Sequence, residues 1–162
     1  MRDIIRLLPA SDSQMTRKLD STDWRILKEL MADGSLTNVA LAGKVGLSAP
    51  PCLRRVRALE ESGVITGYTA LIDERALGFE LTAFAMVGLH NQSETDLRTF
   101  ENRILGWPIV REAYMLSGES DYILKCVTRD LTAFQDFLLK ELTSVPNVAS
   151  VKTTLAIRRA KL

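Results

Sequence analysis

From Leu19 onward apolar residues recur at helical spacing in three short blocks, and near Leu81 the rhythm turns extended. In the first block Ile26, Leu27, Leu30 and Met31 share a face. Asp20 suits the N-cap, Asp23 the third helical position, Leu19 can staple onto Trp24, and Gly34 ends the element. Thr37 caps a second helix carrying Val39, Ala40, Leu41, Ala42 and Val45, which stops at Gly46. Ser48 caps a third after a turn of about three residues. Pro50 and Pro51 follow directly, where a fixed backbone angle and a missing N–H cost a helix least. Two helices joined this tightly around Val45-Gly46-Leu47-Ser48 have helix-turn-helix spacing. In the third helix Cys52, Leu53, Val56 and Leu59 form the buried side, whereas Arg54, Arg57 and Ala58 point outward and Arg55 flanks them. Val64 to Ile72, rich in β-formers and interrupted by Gly67, predicts a strand or wing leading out of the domain.

The second half reads differently. Leu81 to His90 is a nearly all-apolar strand; Ser93 and Asp96 open a helix whose Leu97, Phe100 and Ile104 share a face, and Trp107-Pro108 breaks it. Ile109 to Ser117 and Asp121 to Thr128 are strands around Gly118-Glu119-Ser120, a hairpin signal. Asp130 caps a helix to about Leu142, Val145-Pro146 breaks it, and Val148 to Ile157 is the last strand. A weak internal repeat supports two βαβ halves, since Trp107-Pro108-Ile109-Val110 recurs as Val145-Pro146-Asn147-Val148. The fold class is therefore α+β: an N-terminal winged helix-turn-helix domain and a C-terminal ferredoxin-like βαββαβ sandwich. The boundaries are an N-terminal extension over 1–18 with partial disorder, a helix-turn-helix domain over 19–72, a linker over 73–80 and the sandwich over 81–162. Thr82, Phe84, Met86, Leu124, Cys126, Leu155 and Ile157 are too apolar to leave both sheet faces wet, and dimerisation through the sheet is the economical cover.

Composition narrows the chemistry. The chain has 162 residues, 21 Lys+Arg, 20 Asp+Glu and a net charge of +1. Such a chain does not bind polyanions by bulk charge alone, so any nucleic-acid contact is a local patch. One histidine, His90, removes most zinc and triad chemistry, and metal sites are not expected. His90 reads as a solvent-edge residue, Trp24 and Trp107 as core or staple residues. Cys52 and Cys126, far apart and without CxxC spacing, read as two reduced, buried thiols. No apolar run reaches the roughly 18 residues of a membrane span, so the chain reads as soluble and cytoplasmic, with no membrane partner.

Four segments in order carry a resemblance: Asn38-Val39-Ala40-Leu41, Val45-Gly46-Leu47-Ser48, Pro51-Cys52-Leu53-Arg54-Arg55-Val56 and Leu59-Glu60-Glu61-Ser62-Gly63-Val64-Ile65. With Gly118-Glu119-Ser120-Asp121-Tyr122 behind them, the chain closely resembles the Lrp/AsnC (feast/famine) transcriptional regulators from about residue 19 to 158. The resemblance implies a winged-helix DNA-binding domain, a ligand-binding and oligomerising domain, dimers assembling into octamers or similar rings, and an amino-acid effector bound between dimers. Two positions depart from the family pattern. Ser35 stands where the family often has Arg, and Glu119 replaces the first acid of its Gly-Asp-x-Asp-Tyr hairpin.

Such a motif puts the start of its third helix into the major groove, where Arg pairs with guanine acceptors and small groups meet thymine methyls. Ser48, Pro51, Arg54, Arg55 and Arg57 are candidates there, Arg54 and Arg57 for bases; Thr37, Asn38 and Arg55 are candidates for phosphates. The double-stranded partner is expected to carry palindromic half-sites about one helical turn apart. Residues 1–72 hold 10 cationic and 8 acidic side chains, and residues 73–162 hold 11 and 12. Each DNA domain is thus weakly cationic, and useful affinity needs two or more linked domains. At the other end Gly118 lets a ligand approach, Ser117 and Ser120 bring donors, and Asp121 offers a charge to an ammonium. Tyr114, Met115, Leu116, Thr153, Leu155 and Ile157 are candidates for an apolar lining, with a neighbouring subunit as one source. The same Gly118–Asp121 stretch also reads as a plain hairpin turn, with Asp121 satisfying backbone N–H groups. The competing class is an amino-acid-sensing regulatory subunit or enzyme-associated protein without specific DNA binding, since a fold does not fix function. Against an enzyme stand the absent nucleophile–base pairs, metal clusters and phosphate-binding glycine loops.

Overall fold

A computed structural model describes residues 18–160 and divides the chain into two compact units, one ending at Leu71 and one starting at Ile72. Residues 1–17 of the expected extension lie outside the described residues.

The first unit is three helices: α1 (Ser21–Ala32), α2 (Asn38–Val45) and α3 (Ala49–Glu61). The caps fall where the sequence puts them. The Asp20 carboxylate accepts from the N–H groups of Thr22 and Asp23, and Asp23 completes the capping box. The Thr37 hydroxyl accepts from the Ala40 N–H. Gly46 ends α2 in the left-handed region at φ 70°, with the Leu47 N–H reaching the Ala42 carbonyl at 2.9 Å. That Schellman closure favours glycine and aims the chain into α3 within three residues. Ile26, Leu41, Ala42, Val45, Cys52 and Leu59 make the core. Trp24 differs from a core residue: it is 61% exposed and lies outside the core cluster, while Leu19 packs on the core. The strand expected over Val64–Ile72 is also absent. That stretch pairs with no strand among the described residues, and its anchors are the Ile65 N–H on the Leu59 carbonyl and the Tyr68 hydroxyl on Glu60.

The second unit follows β1 (Leu81–Leu89), α4 (Glu94–Leu105), β2 (Val110–Met115), β3 (Tyr122–Thr128), α5 (Leu131–Phe137) and β4 (Val148–Leu155), and a π-turn over Leu138–Leu142 extends α5. The sheet order is β2-β3-β1-β4 with every pair antiparallel, the ferredoxin-like arrangement. The internal repeat is physical. Val110 N–H reaches the Trp107 carbonyl at 3.0 Å and Val148 N–H the Val145 carbonyl at 2.9 Å, the same turn after each helix. Trp107 and Val145 are both buried. Ala83, Ala85, Val87, Tyr122, Leu124 and Cys126 line the helix-covered face and meet Phe100, Trp107, Phe134 and Phe137. Residues 73–80, the expected linker, carry a 3₁₀ turn, and Arg111 of β2 holds them through Glu74 at 3.9 Å and the Phe79 ring at 5.2 Å.

Register corrects the list of residues expected to need an outer cover. Leu124 is opposite Ala85 and Cys126 opposite Ala83, so both point under the helices. Leu155 is opposite Ala83, on that same side, and Ile157 lies beyond the strand. Thr82, Phe84 and Met86 remain on the outer face, joined by Ile123 opposite Met86. Counting apolar residues without strand parity merged two faces into one.

Both thiols are free and buried, and burial pushes Cys126 up to about 12. A thiol reagent at pH 8 is therefore expected to modify neither cysteine in the native protein and both in denaturant. Rapid native labelling of two thiols would contradict this placement.

Candidate nucleic-acid interface and effector end

Three arginines follow one another closely on α3, and packing gives them different work. The Arg55 Nη1 lies 2.8 Å from an oxygen of Asp20 and 2.8 Å from an oxygen of Asp23. Asp23 is 1% exposed, so its charge is tolerable only beside a cation and backbone donors. The hydrogen bonds to Asp23 and Asp20 raise Arg55 above its ordinary value; the Asp23 N–H and then Arg55 hold Asp20 below the usual carboxylate range. Arg55, expected at phosphates, is thus the tie that clamps α3 to the start of α1. Arg54 and Arg57 are exposed and have no hydrogen-bond or ion-pair partner among the described residues.

Asn38 is likewise drawn inward. Its Nδ2 donates to the Ala49 carbonyl at 2.8 Å, fastening the first residue of α2 to the first of α3, and its Oδ1 is buried without a partner. That bond holds the turn between the helices. Thr37 stays exposed; its cap uses an acceptor lone pair and leaves the O–H to donate. Ser48 occupies the N-cap position with extended backbone but makes no cap hydrogen bond. The cause is local: a cap accepts from the second or third helical N–H, and Pro50 and Pro51 hold those positions and have none. The Ser48 hydroxyl is exposed and uncommitted. Pro51 is half-buried, whereas Pro50, which the sequence marks only as a helix starter, is exposed. The helical wheel carried the signal, since Pro50 is four residues before Arg54 and seven before Arg57.

At the effector end, β2 and β3 meet through the loop from Leu116 to Asp121. The Leu116 N–H bonds the Asp121 carbonyl at 2.7 Å, and the Asp121 N–H the Val87 carbonyl at 2.8 Å. The Asp121 Oδ2 accepts the Leu89 N–H at 2.6 Å, where the β1–β4 register shifts between Gly88 and Leu89. One carboxylate oxygen therefore mends a backbone irregularity, as the hairpin reading supposed. Gly118 stands at φ 151° with open space where a Cβ would be, and Ser117 is exposed beside it while Ser120 is half-buried. The Tyr114 hydroxyl donates to Glu112, which also holds Lys125 at 2.6 Å; Lys125 first, then Tyr114, keeps Glu112 below the usual carboxylate range. Lys152 reaches Glu119 at 3.4 Å.

Tyr114 and Met115, 58% and 57% exposed, lie on β2, whereas Leu155 lies on β4. These are opposite edges of the sheet, about 14 Å apart at the usual strand spacing, so Leu155 and the hairpin do not share one pocket within a chain. Among the described residues no three His, Cys, Asp or Glu side chains gather as metal ligands, and no helix is long and apolar enough to cross a membrane.

The family described as Lrp/AsnC ligand binding domain matches residues 82–162, and that described as winged helix-turn-helix DNA-binding matches residues 19–66. A leucine-responsive regulatory protein of Rhizobium meliloti is 57% identical over 144 residues, covering 89% of this chain and 92% of its own. The Bkd operon transcriptional regulator of Pseudomonas aeruginosa is 43% identical over 145 residues, covering 90% and 95%. A crystal structure of a Neisseria meningitidis transcriptional regulator in complex with L-Met superposes with TM-score 0.84 at 35% identity, over 89% of this chain and 93% of that one.

The division of labour on α3 is testable by melting. Arg55→Ala, which strips the cation from buried Asp23, is expected to lower the melting temperature of the N-terminal unit by about 5 °C or more. Arg54→Ala should leave it within about 1 °C. Equal melting of the two variants would show that Arg55 is not the tie.

Proposed function

The chain belongs to the Lrp/AsnC family of DNA-binding transcriptional regulators, and from that premise we propose how it reads its operator and senses its effector. The outward face of α3 enters the major groove. Arg54 and Arg57 meet base edges, guanine acceptors foremost, and Ser48, Thr37 and Pro51 lie at the groove wall and the phosphates. The observation that carries this reading is the sorting of the arginines: Arg55 is bound to Asp20 and Asp23, and Arg54 and Arg57 face solvent. Arg55 and Asn38 hold the reading surface in shape rather than touch DNA.

Two outward arginines make a weak single contact, so the working form is an assembly of this chain, a dimer or a higher ring, on palindromic half-sites. The outer sheet face with Phe84, Met86 and Ile123 is the surface that a second copy covers. The effector is an amino acid. Open space at Gly118 admits its backbone, the hydroxyls of Ser117 and Ser120 donate to its carboxylate, and the Asp121 carboxylate draws its ammonium. Tyr114, Met115 and, from a neighbouring copy, Leu155 wall its side chain. Binding at that boundary shifts assembly, and with it the spacing of the recognition helices.

Two measurements test this. A duplex with two half-sites should bind the full-length protein at least tenfold more tightly than one with a single half-site, and affinity should fall steeply with salt. Equal affinity for both duplexes would leave the assembly argument without support. Asp121→Asn keeps an acceptor for the Leu89 N–H but removes the charge. Its thermal shift with the amino acid that most stabilises the wild type should weaken by about tenfold in apparent affinity, and an unchanged shift would remove the ammonium role.

A further inference from the structure

We propose that Pro50 is a specificity-determining residue, its exposed pyrrolidine ring reading a thymine C5-methyl in the major groove beside the bases met by Arg54 and Arg57. The inference rests on the DNA-binding face proposed above and adds what the tip of that face recognises.

The argument begins with position. At 100° per residue, Pro50, Arg54 and Arg57 fall within roughly 60° of one another on α3. Cys52 and Leu59, both fully buried, lie on the opposite side. Pro50 is thus central on the outward face, and it is exposed where Pro51 is half-buried.

The chemistry follows from what the two prolines remove. A helix start ordinarily offers several free N–H groups to phosphates or base acceptors. Here the second and third positions have none, and the Cys52 N–H is spent on the Ser48 carbonyl at 3.3 Å. Of the first four amides only that of Ala49 is left. The tip therefore presents a hydroxyl from Ser48, an apolar ring from Pro50 and a guanidinium from Arg54.

A pyrrolidine ring discriminates mostly by exclusion. Set against the cytosine amino group, the adenine amino group or the guanine oxygen, it strips water from a polar edge and returns no hydrogen bond. The thymine methyl is the apolar feature among the base edges of the major groove, and burying it against the ring is favourable. Proline also loses no side-chain rotamer freedom on contact. The same proline pair that frees the Ser48 hydroxyl thereby fixes one apolar reading position next to it.

Replacing thymine with uracil isolates the term, because only the methyl is lost. Duplexes selected by the full-length protein from a random-sequence pool would be rescanned with each thymine changed to uracil in turn. One thymine per half-site should show about a fivefold loss of affinity, the scale of one buried methyl. Pro50→Ser, which restores an N–H and a partner for the Ser48 cap, should bind thymine and uracil duplexes equally. Pro50→Ala, checked by melting alongside it, guards against a folding defect. If duplexes are selected but no uracil costs affinity, or if the loss persists undiminished in Pro50→Ser, the role of Pro50 is overturned while DNA binding stands. If no duplex is selected, the DNA-binding face itself is overturned and this inference with it.

Discussion

A buried carboxylate at the start of α1 governs the DNA-facing unit. Asp23 sits at the third position of α1, shielded from water, where its charge would be costly without a cation at hand. Arg55 answers it from α3 and reaches Asp20 with the same nitrogen, so one guanidinium fixes the end of one helix against the side of another. At 100° per residue Arg55 lies between the buried and outward sides of α3, which allows it to turn in while Arg54 and Arg57 turn out. The orientation of the reading surface thus follows from satisfying one charge. Asn38 adds a second fastening at the turn, and its orphaned Oδ1 is the cost of placing an amide there.

Features set by neighbours in sequence were legible from the chain alone. The Asp20, Thr37, Ser93 and Asp130 caps, the Gly46 turn and the repeated Pro turns all depend on residues within about five positions of each other, and each is present. What escaped depends on distant partners. Nothing local to Arg55 announces Asp23, 32 residues away, and nothing local to Asn38 announces the Ala49 carbonyl. The parity of Leu124 and Cys126 needed strand register, and Val64–Ile72 has strand composition but no neighbouring strand to complete a ladder. Ser48 is instructive in the other direction. Its position as N-cap was legible, and so was the loss of its hydrogen bond, once the two prolines are counted as missing donors rather than as helix starters alone.

The candidate effector end shows the same limit. The hairpin, its glycine and Asp121 were readable as a group because they are contiguous, and they do stand together. Leu155 is a candidate for the same lining, and sheet order puts it on the far edge within one chain, which leaves a neighbouring subunit as its source. Asp121 joins both readings of its loop. One oxygen and its own N–H bind β1, which anchors the hairpin, and the second oxygen is the part of the charge a ligand can use. In the proposed reading, a ligand that pulls on the Asp121 carboxylate also pulls on the Leu89 N–H at the register shift.

On the proposed reading each unit falls short within one chain, and for different reasons. On α3 two arginines, Arg54 and Arg57, are exposed and without a partner among the described residues, and the proposed apolar tip beside them would give selectivity among base pairs before affinity. The candidate effector surface has its polar loop, Tyr114 and Met115 on the β2–β3 side of the sheet and Leu155 on the β4 edge. In the proposed reading, assembly supplies the missing half in each case, as avidity for DNA and as a completed pocket for the effector. Two functions that draw on one assembly equilibrium would be coupled by linkage without any special path between them: on the proposed reading, whatever stabilises the assembly at the effector boundary would change the number and spacing of DNA faces presented together. A near-neutral chain suits that arrangement, since a strongly cationic one would hold DNA as a single copy and blunt the dependence on assembly.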